Sequence, residues 1–136
     1  MSQIPTSTSI DFVVDTNVAI DFLNHPAASA AKVGTTAKLA VPVIVLGELF
    51  YGAEKSSRTT SNLARIEAFL QDVRVLRCDL DTARHFGRVR LGMRAAGTPI
   101  PHADFWIAAI AIEHQLPLLT RDKHFGSVPG LRVVNW

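Results

Sequence analysis

The sequence predicts a single α/β domain: a mostly parallel sheet of about five strands with helices on both faces. Three observations carry this. Short apolar runs rich in β-branched residues alternate with longer stretches whose apolar residues recur at helical spacing, the pattern of strands joined by right-handed helical crossovers. The first run, Phe12-Val13-Val14, has the composition of a strand buried on both faces. The chain has 136 residues, 48% hydrophobic and 19% charged, enough to bury a real core and too apolar for a disordered segment. No internal repeat, low-complexity tract or long linker divides it, so residues 10–136 are expected to form one domain after a polar leader, 1–9.

The elements follow in order. Phe12–Val14 is the first strand, ended by Asp15-Thr16-Asn17, and Val18–Leu23 opens the first helix. Pro26-Ala27-Ala28 starts a second helical stretch to about Thr36, since proline is well placed in a first helical turn. Lys38–Pro42 is the second strand. Val43, Leu46, Phe50 and Ala53 then mark a helix to about Lys55, interrupted only by Gly47. After the polar loop 56–61, Leu63, Ile66, Ala68, Phe69 and Leu70 mark another. Val73–Leu76 alternates, as a strand near a sheet edge does. Asp79-Leu80-Asp81 places carboxylates at the positive end of a helix dipole, and that helix should run to about Ala96, stopped by Gly97 and Pro99. Pro101-His102-Ala103-Asp104 opens a helix apolar nearly all round through Ile112, the mark of a buried helix. Leu116–Thr120 and Leu131–Val134 are the last two strands.

Composition excludes several classes. The longest apolar run, from Phe105 to Ile112, is far too short to cross a bilayer. The leader has no positive charge and no apolar signal core, so the cytoplasm is the expected compartment. A single cysteine, Cys78, rules out an intramolecular disulfide and a multi-cysteine metal site, and is expected to be a small buried apolar residue. The formal charge is only +2, but basic residues gather at 55–58, at Arg84, Arg88, Arg90 and Arg94, and at Arg121-Asp122-Lys123-His124. Such clusters permit a phosphate-rich partner and equally describe solvated helix faces.

Four carboxylates lie at element boundaries in apolar surroundings: Asp15 after strand one, Glu48 within the helix after strand two, Asp104 in the first turn of the buried helix, and Asp122 after strand four. Each has a plain explanation. Asp15 can cap a helix, Glu48 can form a salt bridge or reach solvent, Asp104 can answer a helix dipole, and Asp122 can belong to a turn. A parallel sheet changes the picture. Asp15 and Asp122 then leave the carboxyl ends of their strands on one edge, where open α/β sheets hold ligands. Helices following strands two and three begin on that edge and can bring Glu48 and Asp104 there. Four carboxylates in one cleft repel unless some are protonated or a cation joins them. Mg²⁺ or Mn²⁺ prefers such oxygen ligands, with Thr16, Asn17 and Thr120 as supporting polar groups. Such a site suits phosphodiester hydrolysis.

The runs Val14-Asp15-Thr16-Asn17-Val18, Val45-Leu46-Gly47-Glu48-Leu49, Ile100-Pro101-His102-Ala103-Asp104-Phe105-Trp106-Ile107-Ala108-Ala109 and Leu119-Thr120-Arg121-Asp122-Lys123-His124-Phe125 occur in this order. Together they resemble the PIN-domain ribonucleases, most nearly the VapC-type toxins of bacterial toxin–antitoxin pairs, from about Ile10 to Trp136. The resemblance implies a PIN-like three-layer α/β/α sandwich. It implies an acidic Mg²⁺ or Mn²⁺ site made by Asp15, Glu48, Asp104 and Asp122, supported by Thr16, Asn17 and Thr120. It also implies endonucleolytic cleavage of structured RNA of the tRNA or rRNA class, inhibiting translation, a homodimer, and a VapB-like antitoxin partner. Arg84, Arg88, Arg121 and Lys123 become candidate RNA contacts. His102 has two readings, a substrate contact or an exposed helix start. Trp106 has two as well, a base-stacking surface or part of the core or dimer surface.

Two other readings stand beside this one. An aspartyl-phosphate enzyme would use Asp15 as nucleophile, but such folds generally need a second carboxylate where this chain has Asn17, and only Lys123 could serve as their lysine. A non-catalytic binding module would use the same carboxylates as caps.

Overall fold

The computed structural model describes residues 9–97 and 100–136. The expected leader falls almost wholly outside them, as does Pro99. Five strands form one sheet: β1 (Phe12–Val14), β2 (Leu39–Pro42), β3 (Val73–Leu76), β4 (Leu118–Thr120) and β5 (Val133–Asn135). Its order is β3-β2-β1-β4-β5 and every pairing is parallel. The register sets Val13 beside Ala40 on one side and Leu118 on the other. The chain therefore steps outward from β1 to β3, then returns across the sheet to β4 and β5. The point where that order reverses lies between β1 and β4.

Right-handed crossovers put the two legs of this path on opposite faces. On one face are α1 (Thr16–Asn24), α2 (Pro26–Val33), α3 (Val43–Lys55) and α4 (Thr59–Leu70), with α1 packed on the other three. On the other are α5 (Leu80–Ala96) and α6 (His102–Glu113), packed closely together. The result is a three-layer α/β/α sandwich, as expected.

Each element obeys its local sequence. β2 is buried at all four positions and β1 at Val13 and Val14. β3 alternates less cleanly and is an edge strand, with Arg74 and Val75 exposed. α6 buries five consecutive residues, Ile107–Ala111, because three alanines let the helix approach the sheet closely. Phe125, fully buried, anchors a short 3₁₀ turn, Lys123–Ser127, after β4.

α5 begins with a capping box. The Asp79 carboxylate accepts from the Thr82 backbone N–H, and the Thr82 hydroxyl accepts from the Asp79 N–H, both at 3.1 Å. It ends at Gly97, whose φ of 71° is the left-handed conformation that favours glycine at a helix end.

Differences from expectation are modest. α2 ends at Val33, where Gly34 takes a positive φ, rather than near Thr36. β5 begins two residues late and forms the second edge of the sheet. Cys78 is exposed rather than buried. It lies in the connection between an edge strand and α5, where residues 77–81 all face solvent.

Candidate active site

The carboxyl ends of β1 and β4 meet at the switch point of the sheet. Asp15 ends β1, and its carboxylate caps α1 by accepting from the Thr16 N–H at 2.8 Å. The Thr120 hydroxyl, at the end of β4, donates to the other Asp15 oxygen at 2.7 Å. The same hydroxyl accepts from the Asp122 N–H at 3.0 Å, which fixes the turn carrying Asp122. Asn17 spans the two strand ends: its Nδ2 donates to Asp15 at 3.3 Å and its Oδ1 accepts the Arg121 N–H at 3.2 Å. Thr120 and Asn17, expected to be supporting polar groups, thus both donate to the Asp15 carboxylate. Asp15 is buried to 2% exposure, and these bonds use most but not all of its acceptor capacity.

Asp104 arrives on α6, the second helix of the crossover between β3 and β4. Glu48 arrives on α3, whose buried face carries Val45, Leu46 and Leu49. Glu48 lies on the opposite, exposed face with Gly47 and Tyr51, so the apolar residues beside it in sequence are not its surroundings. Asp122 is exposed at the rim.

Electrostatics ties the group together. Burial pushes the Asp15 carboxyl above its ordinary pKa; hydrogen bonds from Thr120 and Thr16 oppose this, and the charges of Asp104 and Asp122 add to it. Partial burial raises Glu48; Thr16 opposes this, and repulsion from Asp104 and Asp15 adds. Burial raises Asp104 as well, against the pull of His124. Asp15 therefore senses Asp104 and Asp122, and Glu48 senses Asp104 and Asp15.

His124 is a site residue that sequence reasoning did not assign. Its Nε2 lies 2.7 Å from Asp104 Oδ2, and ligand atoms of Asp104, Asp122 and His124 all come within 4.8 Å of one another. Its position two residues beyond Asp122 was the available signal.

The donor set fits a hard divalent cation. Carboxylate oxygens dominate, three of the carboxyls are raised by burial with crowding added, and the buried Thr16 hydroxyl, which makes no hydrogen bond of ordinary geometry, stands beside Glu48. Asp15, Glu48, Asp104 and Asp122 would hold such an ion, with His124 beside them.

The basic candidates are placed unequally. Arg121 pairs with Asp21, whose carboxylate also accepts the Trp136 indole N–H at 2.7 Å. Lys123 is exposed next to Asp122. Arg84 pairs with Asp81 at 2.7 Å. Thr82 of α5 bonds Glu113 at the far end of α6, so Arg84 lies toward that end, away from Asp104. Arg88 is exposed one turn further along. His102 is exposed, and Trp106 is half-buried against Phe86.

Fold and site together define an α/β protein with an acidic, cation-competent cleft at the switch point of a parallel sheet. The PIN domain family matches residues 12–131. The tRNA(fMet)-specific endonuclease VapC of Salmonella typhimurium is 34% identical over 130 residues, covering 93% of this chain and 98% of that protein. Ribonuclease VapC2 of Haemophilus influenzae is 33% identical over the same length, with the same coverage of both chains. Among solved structures, VapBC2 of Rickettsia felis bound to a promoter DNA fragment superposes with a TM-score of 0.86 at 26% identity, over 93% of this chain and 99% of that one. DNA-bound VapBC of Salmonella typhimurium superposes with a TM-score of 0.84 at 32% identity, over 94% and 99%. The chain belongs to the PIN-domain family, in its VapC-type ribonuclease group.

Proposed function

We propose that this protein is a divalent-metal-dependent endoribonuclease that hydrolyses structured RNA of the tRNA or rRNA class and acts as the toxin of a toxin–antitoxin pair, inhibiting translation. The observation that carries the reading is the convergence of Asp15, Glu48, Asp104 and Asp122 at the β1–β4 switch point, with three of them raised above their ordinary pKa. A bound Mg²⁺ or Mn²⁺ would acidify a water and neutralise charge on the phosphate.

The protein's own groups prepare that chemistry. Thr120, Thr16 and Asn17 fix both oxygens of Asp15 through hydrogen bonds, so the carboxylate needs no reorganisation when substrate arrives. His124, with its proton on Nε2, donates to Asp104 and fixes its rotamer. Lys123 stands at the rim to meet substrate phosphates. The identity of two relatives as tRNA(fMet)-specific endonucleases makes initiator tRNA the first substrate to try. The VapBC neighbours support a VapB-like antitoxin as partner. A homodimer belongs to the same reading, with sedimentation as its measure.

The test is cleavage of total cellular RNA with Mn²⁺ or Mg²⁺, mapped by end sequencing, for wild type and Asp104→Asn, each with and without EDTA. A few discrete cuts, lost with the substitution and with chelation, are expected. Equal cleavage by both proteins would overturn the acidic-site mechanism.

A further inference from the structure

α5 and α6 run antiparallel, with Thr82 bonded to Glu113 and Phe86 stacked on Trp106. The second half of α5 therefore lies beside the first turn of α6, the turn that carries Asp104. Between them opens a groove of about 780 Å³ whose lining includes Arg90, Leu91, Arg94, His102 and Phe105, and no carboxylate. Arg90 and Arg94 are exposed and one helical turn apart. Among the described residues neither is paired with a carboxylate; Arg90 meets only the His102 imidazole, at 3.3 Å. The exposed His102 ring stacks on Phe86 at 5.6 Å and 21°, and Phe105 meets both rings edge-on.

We propose that this groove binds single-stranded RNA flanking the phosphate held at Asp104, with Arg90 and Arg94 on backbone phosphates and a base stacked on the His102 ring. The proposal rests on the nuclease reading above. Two unneutralised guanidinium groups beside an open aromatic surface are the chemistry that holds single strands, by charge along the backbone and stacking on the bases. A second copy of this chain fits worse. An isologous contact through this face would bury Arg90 and Arg94 of both protomers in a groove whose described lining offers no carboxylate to pair them.

Binding of a 5′-labelled, mixed-sequence single-stranded oligoribonucleotide is measured by fluorescence anisotropy in EDTA, so that no cleavage intervenes, at several salt concentrations. Each phosphate contact contributes about 0.7 to the log–log salt slope for a single strand. The Arg90→Ala/Arg94→Ala variant should therefore lose about 1.4 from that slope, and its affinity should fall. His102→Ala should lose roughly tenfold in affinity with the slope unchanged. Arg58→Ala, in the loop between α3 and α4, is the control for loss of a surface arginine outside the groove and should bind as wild type. If the alanine variant does not fold by circular dichroism, Arg90→Lys/Arg94→Lys replaces it, and should keep the slope while its affinity falls through loss of the planar fork. An unchanged slope in a folded alanine variant, with wild type binding normally, overturns the groove assignment alone. Failure of wild type to bind the oligonucleotide overturns the groove assignment, and the nuclease reading is then decided separately by the cleavage assay above. A change of oligomeric state in the alanine variant, seen by sedimentation, would make the face an interface between copies and overturn the proposal.

Discussion

At Asp15, capping and site chemistry share one carboxylate. A capping Asp is ordinary, but this one also receives the Thr120 hydroxyl from a residue 105 positions away, which no local pattern encodes. The neighbouring carboxylates have a thermodynamic signature. A carboxyl whose folded pKa is raised binds its proton more tightly in the folded chain than in the unfolded one. The cation-free protein should therefore gain stability as pH falls through the raised pKa values of Asp15, Glu48 and Asp104, down to about 4, the unfolded value. Glu48→Gln should not lower the melting temperature of the cation-free protein, yet should weaken or remove the stabilisation expected of wild type with Mn²⁺, about 2.7 kcal/mol at a hundredfold excess over Kd; thermal melts with and without Mn²⁺ measure both. Asp21 behaves in the opposite sense. The Trp136 indole N–H, and after it Arg121, hold its pKa below the ordinary value. Its contribution is present above about 4 and disappears as pH falls through the lowered value. Asp21→Asn should flatten that acid limb in a pH series of urea melts. His124 was visible in the sequence but not assigned, because its meaning depends on facing a helix 20 residues earlier.

Among the elements, local chemistry and tertiary pairing contributed separately. The limits of α5 were legible at both ends, since Asp79 with Thr82 and the left-handed Gly97 are local devices. Asp79→Ala should cost about 1 kcal/mol through loss of the cap. Gly97→Ala should cost a similar amount through φ strain, since a Cβ there meets open space; chemical denaturation measures both. Which face of α5 approaches the cleft was not legible. Arg84 and Arg88 have suitable helical spacing, but the antiparallel pairing with α6 sends Arg84 toward the far end, to an ion pair with Asp81. The burial expected of Cys78 failed for a related reason. Composition says that cysteine is often buried, but not that this one sits outside an edge strand.

For the whole molecule, alternation of strands and helices carried the parallel sheet, and the polar breaks after apolar strands carried the acidic edge. Strand order did not follow from alternation alone; it needs the return from β3 across the sheet to β4. The buried core beneath that order is continuous, and Phe125, immediately after the Asp122 turn, belongs to it at 0% exposure. Phe125→Ala should destabilise the protein by about 3–5 kcal/mol, read from a shifted denaturation midpoint, and should loosen the turn that holds Asp122 and His124.

The order of the sheet also sets a timetable. One wall of the cleft is made by β1 and the other by β4, so Asp15 waits through the synthesis of 105 further residues before Thr120 exists to orient it. A nascent chain that stops after β3 carries Asp15 and Glu48 but lacks Asp104, Thr120 and Asp122. The site closes only when the sheet is threaded back through its middle, once β4 has been made. A copy of the chain that stops short of β4 therefore has Asp15 without the hydroxyl that orients it.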